Sequence, residues 1–407
     1  MRSRMELPRM SLQERDRRWT AVRELMSEKG LDCLILFGWP SSYDFYTANA
    51  RYLCSVGGNA STNILVFPLD RAPTCYVNSS TFTGYWKAAQ DWVPDVRSKA
   101  GTWGDTLAGR IKELGLEKAN VGMDGLGGPL VPDGWVPNNV IVRMRDALPQ
   151  LNIVNIHDML EKLRTIKSAE ETDILYKAAA LGDLMLAACR DTARPGVKEC
   201  EVYAKMREAM LANGGEEPTL FFWASDPYPF PHPFQLPTQR KLEKGDIITC
   251  EIHPKTGGYC THVERTYSLG QPNSRFVDIY DGCLAAYQSG LELFGPGKSI
   301  STALEAVRKT IEERNLGICE AGIHGQGLGS LEYPRYRHHA IKADQAAIKV
   351  MGDEFQPGMV FCFNIDLFDP DWRNGETGCV FAETILITQT GARRMHTYPM
   401  EFQILPA

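Results

Sequence analysis

Between Gly245 and Gly270 the chain reads GDIITCEIHPKTGGYCTHVERTYSLG, a stretch that gathers Glu251, His253, His262 and Glu264 within a few turns of sequence. Glu251 and His253 are two residues apart, so on a strand both side chains face the same way. A carboxylate and an imidazole on one face suit proton transfer or a transition metal. Upstream, His232 sits in PHPFQLPTQRKLEKGD, a proline-rich loop where a histidine is as readily functional as structural. The run TLFFWASDPYPFPHPF crowds Phe221, Phe222, Trp223, Tyr228, Phe230 and Phe234 around it. Such a run is more often packing than pocket, but beside a working histidine it suggests an apolar, aromatic or quaternary-ammonium substrate, with Trp223 among the binding residues.

The elements that must position these residues follow from apolar period and punctuation. At 407 residues the chain is long enough for two domains, each with its own core. In the first part, SLQERDRRWTAVRELMSEKG carries helical spacing and ends at Gly30, while DCLILFG and TNILVFP read as buried strands. GDTLAGRIKELG and NNVIVRMRDALP read as helices around the short strand NVGM, which makes this part α/β. A long helix opens after RTIKSAEE and runs to about Arg194, and a second follows near 198–213. Strands at 247–253, 259–268, 359–367 and 379–388 then mix with helices at 275–293 and 300–315, an α+β pattern. The boundary falls at 165/166.

Composition narrows the function classes. A hydrophobic fraction of 43% with 23% charged residues is that of a soluble globular protein, and no apolar run approaches the roughly 20 residues of a membrane helix. The start carries basic residues without an apolar stretch behind them, so a cytoplasmic location is expected. Eleven cysteines scattered without a CxxC pair fit free, mostly buried thiols, and Cys250 and Cys260 read as packing. The net charge of -6 offers no footprint for nucleic acid, leaving a small-molecule or peptide partner.

The hairpin resembles that of the creatinase/aminopeptidase P/methionine aminopeptidase family, the pita-bread fold. Its frame is present as Gly245, Asp246, Gly258, Tyr259, Arg265 and Thr266, and RTIKSAEE, IHGQGLG at 323–329, GMVF at 358–361 and ETILIT at 383–388 follow in the family's order. The resemblance implies an α/β N-terminal domain over 1–165, an α+β pita-bread catalytic domain over 166–407, and a homodimer. The family's metallopeptidases hold two metals with two aspartates, a histidine and two glutamates; matched positions here are Glu251, His262, His324, Asn364 and Ala382. Ala382 cannot coordinate and neutral Asn364 is a poor bridge between hard cations, so no dinuclear centre is expected. Asp366 and Glu383 are the nearby carboxylates; Asp366 shares the side of Asn364, whereas Glu383 should face away from that of Ala382.

The pattern is closest to creatinase, the metal-free branch, which implies His232 as proton shuttle and Glu264 as a polar-head anchor. Catalytic roles then fall to His232, Glu264 and His324, and substrate binding to Glu251, His262, Arg335, Asn364, Glu383 and Trp223. Creatinase's second histidine after the GH motif falls at Leu331, another falls at Glu383, a guanidinium-binding glutamate at Asn364, and the second of its two carboxylate-clamping arginines at Gly58. Half of a bidentate clamp weakens recognition of a free carboxylate. The expected activity is therefore cleavage of a C–N or similar bond in a small nitrogenous or carboxylated metabolite, by hydrolysis or elimination, with no cofactor. A rival reading places one zinc, iron or manganese ion on Glu251, His253, His262 and His324, as a hydrolase or lyase. An Xaa-Pro-type peptidase is a separate alternative, although loss of the family's metal pair is expected to abolish proline-peptide cleavage. A non-catalytic binding protein is a third. His338 and His339 read as a solvated or substrate-facing loop, and His157 and His396 lie outside every motif.

Overall fold

The computed structural model describes residues 8–40, 44–58, 62–128, 131–157, 159–232, 235–337 and 352–407. The chain divides into two compact units, Met1–Arg164 and Thr165–Ala407. Phe234, His338 and His339 lie outside the described residues.

The first unit comprises α1 (Leu12–Glu28), β1 (Cys33–Gly38), α2 (Phe45–Cys54), β2 (Asn63–Pro68), β3 (Thr74–Val77), α3 (Ser80–Ala89), β4 (Asp95–Ser98), α4 (Trp103–Leu114), β5 (Asn120–Met123), α5 (Asn138–Ala147), β6 (Asn152–Asn155) and α6 (Met159–Thr165). Its six strands form one mixed sheet in the order β4-β3-β2-β1-β5-β6. β1 and β2 are continuous apolar runs because they lie in the middle of that sheet, buried throughout. Leu107 and Ile111 of α4 and Val140 and Met144 of α5 join Ile35, Phe37, Ile64 and Val66 in one core.

The second unit opens with α7 (Ala169–Thr192), whose start is written in SAEE. Ser168 accepts from the Glu171 amide at 3.2 Å while the Glu171 carboxylate accepts from the Ser168 amide at 2.9 Å, a reciprocal cap that satisfies two otherwise orphaned donors. There follow α8 (Glu199–Leu211), β7 (Phe221–Asp226), β8 (Ile247–Ile252), β9 (Lys255–Thr256), β10 (Tyr259–Cys260), β11 (Val263–Leu269), α9 (Ser274–Leu291), α10 (Ile300–Glu313), β12 (Gly317–Gln326), β13 (Ser330–Arg337), β14 (Val360–Phe368), β15 (Gly378–Cys379), β16 (Ala382–Ile387), β17 (Ala392–Arg394) and β18 (Gln403–Leu405). The main sheet runs β13-β12-β14-β16-β11-β8-β7, with antiparallel neighbours throughout that path.

Period-2 alternation decides which residues meet. On β8 and β11, Ile248, Cys250, Ile252, Val263 and Tyr267 join Met185, Met206 and Met210 of α7 and α8 in one core. On β12, β14 and β16, Ile323, Phe361, Phe363, Ile365 and Ile385 pack with α9 and α10 in another. In α10 the buried positions Ile300, Ala303, Leu304, Val307 and Ile311 recur at helical spacing, and full burial of each Ile, Leu or Val stabilises by about 1.5–3 kcal/mol. The alternate positions, Glu251, Glu264, His324, Asn364 and Asp366, therefore share the sheet face opposite those helices.

Two expected binding residues fall on the wrong parity. Trp223 is paired with Cys250 in register and is fully buried among the α7/α8 core, so it packs the helix side of the sheet rather than binding substrate. Phe222, opposite Glu251, occupies the site side of β7. Glu383 is likewise fully buried on the helix side, held by Arg265 and lying 3.6 Å from Arg394. It anchors the Arg265 of the hairpin and does not face substrate.

Candidate active site

The GD turn builds the frame. Gly245 takes φ +95°, a conformation glycine adopts freely, and Asp246 accepts two 2.7 Å bonds from Arg240 and one of 2.8 Å from the Glu243 amide. Asp246 is thus a structural carboxylate at the entry to β8. At the far side, Thr384 of β16 accepts from the His262 amide and donates to its carbonyl, both at 2.8 Å, which fixes the residue at the loop-to-β11 junction. The loop bearing His232 is tied to β15: Pro229 accepts from Thr377 at 2.7 Å and from the Gly378 amide at 3.3 Å. Any side chain at Gly378 would collide with the Leu367 carbonyl and Pro231.

His232, partly buried, places Nδ1 2.6 Å from Asp366 Oδ2 and turns Nε2 toward Glu251 Oε2 at 3.8 Å. Glu251 Oε1 lies 3.0 Å from His253 Nε2 and 3.6 Å from His262 Nε2. His262 Nε2 is 3.1 Å from Glu264 Oε1, and His262 Nδ1 is 3.3 Å from His324 Nε2. Asn364 donates to Glu264 Oε1 at 3.3 Å. Arg335, half-buried on β13, is the cross-strand partner of His324.

The electrostatics of this cluster are those of a site short of positive charge. Among the described residues, Glu251, Glu264 and Asp366 have no Arg or Lys partner, only histidines. Burial, reinforced by Asp366 and Glu251, pushes the Glu264 carboxyl well above the usual range, and burial does the same to Asp366. Each of these neighbouring buried carboxyls thus resists ionisation. Burial, reinforced by His253 and His324, holds the His262 imidazole well below its usual value, so that it stays neutral. Glu251 Oε2, Glu264 Oε2, Asn364 Oδ1 and Asp366 Oδ1 are buried acceptors without a hydrogen-bond donor in the structure. Such atoms call for a donor-rich ligand or a cation.

A single ion fits part of this set. Glu251, His253 and His262 bring one ligand atom each within 4.8 Å of one another, and the separations of 3.0 and 3.6 Å from Glu251 to the two imidazoles bracket the roughly 3.4 Å edge of a tetrahedron with arms of about 2.1 Å. The four-ligand site expected from the sequence is divided, however. His324 meets the other nitrogen of His262 and groups with it and Cys362 instead. That second group is the poorer seat, because burial pushes the Cys362 thiol well up and a metal needs the thiolate. The paired-metal set that the family resemblance implies is incomplete: Asn364 and Ala382 stand paired on β14 and β16 at the two glutamate positions. His232, Glu264 and Asp366 also bring one ligand atom each within 4.8 Å of one another.

Most of the expected residues converge: His232, Glu251, His253, His262, Glu264, His324 and Asn364. Asp366 was legible as a carboxylate on the side of Asn364, but not as the partner that fixes His232. Gln326 and Thr384 went unread, although Gln326 stands two residues from His324 on one strand face. His396 pairs with Asp183 at 3.1 Å.

Comparison with known proteins gives the family. Residues 173–389 match metallopeptidase family M24, and residues 18–166 match the creatinase/prolidase N-terminal domain. The chain belongs to metallopeptidase family M24. It is 28% identical to an Xaa-Pro dipeptidase of Pyrococcus furiosus over 266 residues, covering 65% of this chain and 72% of the relative. It is 22% identical to a creatinase of a Bacillus species over 398 residues, covering 96% and 92%. Among solved structures it resembles an Xaa-Pro dipeptidase from Bacillus anthracis (TM-score 0.74, 21% identity, 96% and 100% covered) and a prolidase from Thermococcus sibiricus (TM-score 0.76, 19% identity, 98% and 100% covered). These likenesses show the two-domain pita-bread architecture, and membership places the chain among hydrolases. The expectation of a cofactor-free enzyme gains no support from a metallopeptidase family or from a chain that gathers metal-competent groups. Among the described residues no helix is long and apolar enough to cross a membrane.

Proposed function

We propose that this chain hydrolyses the C–N bond of a small peptide-like amide, in the manner of the Xaa-Pro dipeptidases it resembles, with one metal site where those relatives' family pattern has two. One observation carries the reading. His232, oriented by Asp366 at 2.6 Å, stands 3.8 Å from Glu251, which closes the Glu251–His253–His262 triad, so a proton-transfer group adjoins a seat for one ion.

The chain's own residues supply most of the chemistry. Asp366 accepts the His232 Nδ1 proton, which leaves the Nε2 lone pair facing the site as a base. His232 takes a proton from attacking water and returns it to the leaving nitrogen as the C–N bond breaks, so the proton balance closes on one residue. Glu251, His253 and His262 would hold a transition-metal ion, which when bound would polarise the scissile carbonyl. Burial makes Glu264 and Asp366 harder to ionise, which limits negative charge beside that carbonyl. Arg335, opposite His324 in register, would bind an anionic end of the substrate.

The test is metal analysis joined to a substrate panel. Metal-stripped protein reconstituted with zinc, manganese or ferrous iron should bind about one equivalent per chain and then cleave Xaa-Pro dipeptides. Two equivalents would contradict the one-site reading. A second reading, metal-free cleavage as implied by the creatinase resemblance, draws on neutral Asn364 and on the buried carboxyls of Glu264 and Asp366, both pushed above the usual range; undiminished activity in the stripped protein would establish it.

A further inference from the structure

Gln326 lies two residues beyond His324 on β12, fully buried on the same sheet face. Its Nε2 is 3.0 Å from His324 Nδ1 and 3.2 Å from Ser330 Oγ, and its Oε1 receives the Cys260 thiol at 3.6 Å. In this orientation Nε2 donates to both His324 Nδ1 and Ser330 Oγ, while Oε1 and the Gly327 carbonyl, 3.5 Å from Cys260 Sγ, are the two acceptors within reach of the thiol.

The orientation has directional consequences. An NH2 group can only donate, so His324 Nδ1 must accept and the ring's proton sits on Nε2. Nε2 lies 3.3 Å from His262 Nδ1, which must then accept in turn. The His262 proton is therefore on Nε2, where Glu264 Oε1 receives it at 3.1 Å. Each link is complementary, and the row is ordered from one end. Yet His262 Nε2 is also the atom turned toward Glu251, and a protonated nitrogen has no lone pair for a metal. Coordination there needs the proton moved to Nδ1, which needs His324 reversed, which sets a His324 N–H against the Gln326 N–H. Ligating histidines ordinarily give their second N–H to an acceptor, and here the row ends in a donor.

We propose that Gln326 is a positioning residue that fixes the tautomers of His324 and His262 and thereby lowers the affinity of the Glu251–His253–His262 triad for a transition metal. This rests on the one-ion part of the proposed function, and it assigns the tuning of that ion to a residue that does not touch it.

Gln326→Glu replaces the donor with an acceptor of the same shape, and Gln326→Met removes the donor together with Oε1, leaving the Cys260 thiol the Gly327 carbonyl as acceptor. Cobalt(II) added to metal-free protein, followed by its absorption spectrum, should bind the Gln326→Glu variant about tenfold or more tightly than wild type, with Gln326→Met between them. Nitrogen-15 spectra of the metal-free proteins should show His324 protonated on Nε2 in wild type and on Nδ1 in Gln326→Glu. Affinities equal within twofold, or a wild-type His324 protonated on Nδ1, would overturn the proposal while leaving a one-ion enzyme intact. Failure of all three proteins to bind cobalt would overturn it together with the one-ion reading. The wild-type spectrum decides the tautomer even where a variant does not fold.

Discussion

His232 and Asp366 form the contact on which acid–base chemistry turns, and they are 134 residues apart in sequence. The 2.6 Å contact to Asp366 Oδ2 orients the ring and turns Nε2 toward Glu251. Because a shuttle acts in the transition state, His232→Ala should lower kcat by roughly a hundredfold or more with little change in KM. Asp366→Asn keeps the shape but can present an N–H to Nδ1, which frees the tautomer; kcat should fall by about tenfold or more. Near-normal turnover in either variant, measured on a cleaved dipeptide, would remove the pair from the mechanism. Arg335→Ala should act the other way, raising KM while sparing kcat, since a contact to a non-reacting anion stabilises ground and transition states alike.

At the scale of elements, the sequence was most legible where one strand carries its own pattern. The hairpin from Ile247 to Leu269 alternates apolar and polar residues, so the shared face of Glu251 and His253 could be read without partners, whereas Glu264 was placed by the creatinase resemblance. The β12–β13 pair could not: GICEAGIHGQ has little apolar alternation, and its pairing relies on Gly325, where any side chain would collide with the Tyr333 carbonyl. β7 was hidden by the proline-rich loop that follows it, and with β7 unread Trp223 became a pocket residue instead of a core one. Glu383 differs, since its parity is legible in the sequence and turns it away from the side of Ala382, toward Arg265; only the resemblance placed it among the binding residues. Trp223→Phe should accordingly lower the thermal midpoint and leave KM within about twofold, because the ring fills the α7/α8 core and touches no substrate. Arg265→Ala strands the buried Glu383 carboxylate and should cost about 3–5 kcal/mol in denaturant unfolding. A large KM change in Trp223→Phe, or an unaltered unfolding midpoint in Arg265→Ala, would reverse these assignments.

At the scale of the whole molecule, each unit buries carboxylates, and those of the first unit lie outside the candidate site. Asn49 of α2 donates at 2.9 Å to both Asp124, after β5, and Glu161 of α6. Burial pushes Asp124 up to about 6 and Glu161 up to about 8, against the opposing pull of Arg164. A carboxyl group whose pKa rises on folding holds its proton more tightly in the folded chain. Its contribution is therefore most favourable below the unfolded value and is lost as pH rises through the window up to the folded one. For Glu161 that window extends to about 8, so the first unit should weaken as pH rises towards that value. Glu161→Gln has no proton to hold. Relative to wild type, its unfolding free energy should gain up to about 1.4 kcal/mol for each pH unit through this window, and level off beyond it. Thermal and denaturant unfolding of the full chain at several pH values would measure the difference. A constant offset between the two proteins would mean that Glu161 is ionised in the folded state, with Arg164 prevailing over burial.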